Sequence, residues 1–221
     1  MNLIFPSTVH LGQHRFMIDA DYGLRPSSTL TTLVDKFASL DVDERSSHGY
    51  LPDRTSDVAG RHIIAAENLV CAWDMDDLAG FYLADHWQHT YPVDRFRYFK
   101  AVMDAACLSK DLDPETVGCG AQCVIDIPYQ GSGLRPLLLY ALLGHVKSRF
   151  AFLFSKISKD NKRATKGHLR DGWYSVAEDE EYIFVLLDVK ATMSDLSAPW
   201  ALSKVPGSSG DSTDVVPAVN R

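Results

Sequence analysis

Two stretches of this 221-residue chain hold residue types that can do chemistry. In the first, Gln130, Gly131, Ser132, Gly133, Leu134 and Arg135 follow a β-branched run and precede Pro136 and a leucine-rich segment. Gly131 and Gly133 let the backbone turn tightly and approach a ligand closely. Pro136 suits the first turn of a helix, where its missing N–H is no loss. A glycine loop opening onto a helix N-terminus presents free N–H groups and the positive end of the helix dipole, which suits phosphate. In the second stretch, Asn161, Lys162, Arg163, Lys166, His168 and Arg170 supply an amide, cations and an imidazole. An ordinary imidazole pKa of about 6.5 suits proton transfer near neutral pH.

Other pairings carry less. The loop lacks the Lys-Ser/Thr pair of a Walker A loop and the third glycine of the dinucleotide fingerprint. A plain tight turn is its structural alternative. His86 and His89 are three apart, but no third ligand accompanies them. Cys119 and Cys123 are four apart, which on a regular strand places both on one face as core or cleft lining. No metal site is expected.

The elements that must position these residues follow from periodicity. Residues 117–127 read as a buried central strand, Pro136 and the apolar run Leu137–Leu143 as a helix and 150–154 as a second, parallel strand. Residues 155–160 read as a loop, and 161–169 as a short basic helix. Residues 173–177 and 182–189 form a hairpin around an acidic turn. Upstream, residues 14–24 read as one strand or two. Ser28 or Thr29 caps an amphipathic helix through Leu30, Leu33, Val34, Phe37 and Leu40. Residues 41–57 are polar and turn-rich. Residues 62–73 and 78–84 form an antiparallel hairpin, and 93–108 a helix. The domain is expected over 14–190. Beyond it, Ser, Pro, Gly and Asp dominate 191–221, which reads as a flexible tail.

The two reactive stretches together resemble the GNAT superfamily of acyl-CoA-dependent N-acyltransferases. That family pairs a Gln/Arg-x-x-Gly-x-Gly/Ala loop with a later Asn-x-x-Ala-x-x-x-Tyr-x-x-x-Gly-Phe segment. Gln130, Gly133, Asn161, Ala164 and Gly172 fall at matching spacings. Trp173 replaces the Phe, His168 the Tyr, and Arg135 the final Gly or Ala of the loop. The resemblance covers residues 123–188. It implies an α/β fold with a mixed, mainly antiparallel sheet, a central parallel strand pair and helices on both faces. It implies acetyl-CoA or another acyl-CoA as co-substrate. The pantetheine arm would lie in a splayed gap beside the central strand, against the backbone of Ile125 and Ile127. The pyrophosphate would rest on the amides of Gly131, Ser132, Gly133, Leu134 and Arg135, with Gln130 adjoining. Asn161 would face the pantetheine, a role compatible with capping its helix, and Lys162 or Arg163 could reach phosphate. His168 would protonate the leaving thiolate in place of the tyrosine. The base is left open among Asp126, Glu67, Asp85 and water.

Charge is uneven. The net charge is −7, yet residues 131–170 carry nine basic residues and one acid, +8, which leaves −15 for the remainder. This suits a basic rim around a polyanionic cofactor, or a solvated helix face. The acidic remainder speaks against nucleic acid and favours a cationic amine, in a small molecule or a peptide, as acceptor. No apolar run reaches the roughly eighteen residues of a membrane span. Residues 1–6 lack the pattern of a signal peptide, and four cysteines make no disulfide scaffold. A cytoplasmic monomer or homodimer is expected. A non-catalytic acyl-CoA-binding or regulatory module on the same fold is the alternative.

Overall fold

A computed structural model of the chain describes residues 7–20, 27–40, 68–86, 101, 104 and 113–201. The strands are β1 (Ser7–Leu11), β2 (His14–Asp19), β3 (Asn68–Asp74), β4 (Asp77–His86), β5 (Val117–Ile125), β6 (Phe152–Ser158), β7 (Tyr174–Glu178) and β8 (Tyr182–Asp188). The helices are α1 (Ser27–Ala38), α2 (Leu134–Val146), α3 (Lys162–Arg170) and α4 (Val189–Ala201). Among the described residues one sheet holds eight strands in the order β1-β2-β3-β4-β5-β6-β8-β7. Every neighbouring pair is antiparallel except β5 and β6. The predicted mixed sheet with one central parallel pair is therefore present.

Helices cover both faces. Leu30, Leu33 and Val34 of α1 pack with Leu69, Cys71, Phe81, Leu83 and Val124 on one face. On the other, α2 packs through Leu134, Leu137, Leu138 and Leu142 with Val70, Ala72, Tyr82 and Ala84. A helix apolar all round must be covered all round. The sheet covers one side of α2 and α4 packs against it as well. Each fully buried leucine of α2 contributes about 1.5–3 kcal/mol.

Several boundaries differ from the sequence reading. The sheet begins at Ser7, and α4 extends through Ala201, so regular structure exceeds 14–190 at both ends. Packing against α2 supplies the apolar partner that the polar composition of α4 conceals. β6 continues through Ser158, where a loop was expected, because β8 pairs with it along its whole length. The central strand stops at Ile125. Asp126 then caps a 3-10 turn, Ile127–Tyr129, by accepting from the Ile127 N–H. The expected polar loop at 41–57, most of the helix at 93–108, His89 and Glu67 lie outside the described residues.

Cys119 and Cys123 occupy opposite faces. Cys119 packs with Phe154 and Phe184, whereas Cys123 packs on the α2 side. The β4–β5 register explains this: Leu83 faces Gln122 but Asp85 faces Cys119, so β5 carries one extra residue there. A bulge of one residue reverses the side-chain alternation beyond it.

Candidate active site

β5 and β6 pair only at Val117–Phe152, Gly118–Leu153 and Cys119–Phe154. Yet β5 runs on to Ile125 and β6 to Ser158. The two strands therefore part where the bulge falls, since an extra residue bends and twists its strand. Beyond Cys119 and Phe154 the two strands are unpaired, at the place where the resemblance implies a gap beside the central strand. The Ile125 carbonyl accepts from Gln130 Nε2 at 3.1 Å. Ile127 lies off the strand and exposed, its N–H donating to Asp126 and its carbonyl accepting from the Gln130 N–H. The backbone role expected of Ile127 is thus taken up by the 3-10 turn.

The glycine loop joins this gap to α2. Gly131 and Gly133 have φ of 83° and 90°, a region that side chains rarely tolerate. A Cβ on either would meet nothing within 4 Å, so conformation, not crowding, demands glycine. Open space lies over both. Ser132 is turned into the loop, donating through Oγ to the Tyr129 carbonyl at 2.7 Å and accepting from the Leu134 N–H. The amides of Gly131 and Gly133 donate to no group among the described residues. The Leu134 and Arg135 amides stand in the first turn of α2, where helix geometry provides no intrahelical acceptor. Tyr129 anchors the loop, its ring edge-on to those of His14 and Phe16 at 5.3 and 5.6 Å. Partial burial and the neighbouring Asp74 carboxylate raise its pKa.

α3 lies across from this loop. Asn161 is buried and caps α3, its Oδ1 accepting from the Ala164 N–H at 2.9 Å. Lys162, Arg163 and Lys166 are exposed on the helix. Elsewhere in the basic segment, Lys159 lies 3.4 Å from Glu178, and Lys156 sits over the Tyr182 ring.

His168 points inward. Its Nδ1 lies 2.8 Å from the Ala164 carbonyl, and because a carbonyl only accepts, the ring proton is on Nδ1. Burial and the nearby Arg135 charge lower its pKa to about 3. The imidazole is therefore neutral across the physiological range, with its single proton already given to the backbone. This arrangement does not suit the proton-donor role implied by the resemblance. Asp126 is likewise committed, pairing with Lys36 of α1 besides capping the 3-10 turn.

Arg135 goes where the sequence did not indicate. Its side chain leaves the glycine loop and runs beneath α3, where Nη1 meets Asp171 Oδ2 at 3.0 Å. The Asp171 side chain is 2% exposed. A Cβ at Gly167 would collide with Nη1, so this glycine forms the seat of the guanidinium. Tyr82 of β4 and Cys123 of β5, partners in register, stand beside it. Burial, offset by that charge, raises the Cys123 thiol to about 12, which leaves it protonated and inert. Of these partners, only Gly167 carries a signal in the sequence: a glycine in mid-helix is unfavourable unless something needs the space. Among the described residues, no cluster of three or more His, Cys, Asp or Glu could hold a metal. No helix among them is long and apolar enough to cross a membrane.

No family model and no curated protein matches the chain. Solved structures do. A GNAT-family acetyltransferase from Listeria monocytogenes superposes with a TM-score of 0.52 at 14% identity, over 82% of this chain and 99% of that one. YncA from Salmonella typhimurium, solved with its cofactor acetyl-CoA, gives 0.52 at 13%, over 79% and 94%. A GNAT-family structure from Desulfovibrio desulfuricans gives 0.54 at 14%, over 79% and 99%. The chain has the GNAT fold.

Proposed function

We propose that this protein is an N-acyltransferase that moves an acetyl or other short acyl group from acyl-CoA directly to an amine. The observation that carries this reading is the parting of β5 from β6 after three paired residues, with the glycine loop at the end of the gap. The gap suits the pantetheine arm. The unengaged amides of Gly131 and Gly133 suit the pyrophosphate, with exposed Lys162 and Arg163 adding positive charge. Ile125 and Gln130 lie along the route between the two, and Asn161 holds the start of α3 in place.

The chemistry is nucleophilic attack by an uncharged amine on the thioester carbonyl carbon, with departure of coenzyme A through sulfur. Holding both reactants in one cleft supplies much of the acceleration. The acceptor is a small-molecule or peptide amine, and the acidic remainder of the chain favours a cationic one. Asp126 is already paired, so the amine proton passes to water or to a carboxylate elsewhere in the cleft.

Calorimetry with coenzyme A, then thiol release from acetyl-CoA against a panel of amines, tests the proposal. Micromolar binding with amine-dependent release is expected. Binding without release from any amine would favour the second reading, a non-catalytic acyl-CoA-binding module. His168 gives that reading its specific support, since a neutral, engaged imidazole stands where the family has its proton donor. Absence of binding would overturn both.

A further inference from the structure

A buried guanidinium with unfinished hydrogen bonding marks the position of an acceptor. Arg135 meets Asp171 through Nη1; its Nη2 is buried beside the Tyr82 hydroxyl and the Cys123 thiol, and among the described residues it makes no hydrogen bond of good geometry. Arginine does not shed its proton, and a buried charged donor left unmet costs more than a neutral one. The groups around it are Tyr82 from β4, Cys123 from β5, and Asp171 and His168 from the α3 side, with exposed Arg170 on the far side of Asp171. The Tyr82 hydroxyl is buried against the guanidinium and, like Nη2, makes no hydrogen bond of good geometry among the described residues. None of these offers a second anion to the guanidinium. Cys123 lies beyond Cys119, on the part of β5 that has left β6, so the cation sits along the opened stretch of the central strand.

We propose that Arg135 is a catalytic residue of the acyl transfer, stabilising the departing coenzyme A sulfur as a thiolate instead of having it protonated from α3. The inference rests on the acyltransferase reading above. In the step, the amine nitrogen forms its bond to the carbonyl carbon and the carbon–sulfur bond breaks. Sulfur keeps the electron pair, and the amine proton leaves to water. The thiolate takes a proton from solvent after release, so no further reactant is needed. A fixed cation favours the charged form of a neighbouring acid, and it does so without reorganising during the reaction. Neutral His168 is consistent with this division of labour: the same guanidinium that disfavours an imidazolium favours a thiolate.

The test is titration of the coenzyme A thiol bound to the full chain, followed by ultraviolet thiolate absorbance with the ligand-free spectrum subtracted. The bound thiol should titrate about one unit or more below free coenzyme A, a tenfold or greater rise in thiolate fraction. The double variant Arg135→Met, Asp171→Asn removes both charges and strands neither. It should still bind coenzyme A in calorimetry, and its bound thiol should titrate like the free one. Arg135→Gln provides the same comparison if the double variant does not fold. An unshifted thiol in the parent, or an equal shift in either variant, overturns the role of Arg135 while leaving the acyltransferase reading intact. Failure of the parent to bind coenzyme A overturns both.

Discussion

The guanidinium of Arg135 occupies the space that a side chain at Gly167 would fill. The two residues lie thirty-two positions apart, on different helices, and each makes sense only through the other. In an ordinary helix interior, Gly→Ala stabilises by about 0.5–1 kcal/mol. Here the sign should reverse. Gly167→Ala should destabilise by about 1–3 kcal/mol through overpacking against a buried charge. In an Arg135→Met, Asp171→Asn background, the same change should become neutral or stabilising. Denaturant unfolding of the four proteins in a double-mutant cycle measures the coupling, and simple additivity would contradict the seating described here.

His168 should make stability fall in acid. Its folded pKa of about 3 lies below the unfolded value of about 6.5, so between these the unfolded chain binds the extra proton. Stability attributable to this ring is therefore full above about pH 6.5 and is lost progressively as pH falls toward 3. His168→Gln removes the titration and should flatten the difference in melting temperature between pH 7 and pH 5. A parent and variant that lose stability in parallel over that range would show that the ring accepts a proton without penalty.

The loop glycines should respond to conformation. Gly133 has φ of 90° with open space over its Cβ position. Gly133→Asn should therefore be tolerated better than Gly133→Val, because asparagine visits positive φ and β-branched residues do not. The valine variant should lose about 1–2 kcal/mol of stability. Its affinity for coenzyme A should fall at least tenfold, as calorimetry would report. Equal binding by the parent and the valine variant would place phosphate elsewhere.

Asp126 should matter for structure more than for turnover. Asp126→Asn keeps an acceptor for the Ile127 N–H and loses only the partly exposed pair with Lys36, a change under about 1 kcal/mol. Asp126→Ala also loses the cap, adding about 1 kcal/mol. Amine-dependent thiol release should change less than threefold in the asparagine variant. A loss of a hundredfold would instead assign Asp126 the role of general base.

Local signals carried much of the fold into the sequence. The glycine loop, the cap at Asn161, the helix opened by Pro136 and the β3–β4 hairpin are written in neighbouring residues, because turn and cap chemistry acts over two to four positions. The resemblance that led to the GNAT fold rests on the same local spacings. What the sequence could not state depends on partners distant along the chain. Ile127 looked like strand until a cap at Asp126 and pairing with β4 decided where β5 ends. α4 looked like tail until α2 provided its apolar surface. Cys119 and Cys123 looked co-facial, and one bulged residue, visible only as a register shift against β4, turned them apart. Arg135 looked like part of a phosphate loop. Only tertiary structure brought Gly167 and Asp171 to it, and the balance between desolvating a charge and pairing it, not any local preference, draws the side chain inward.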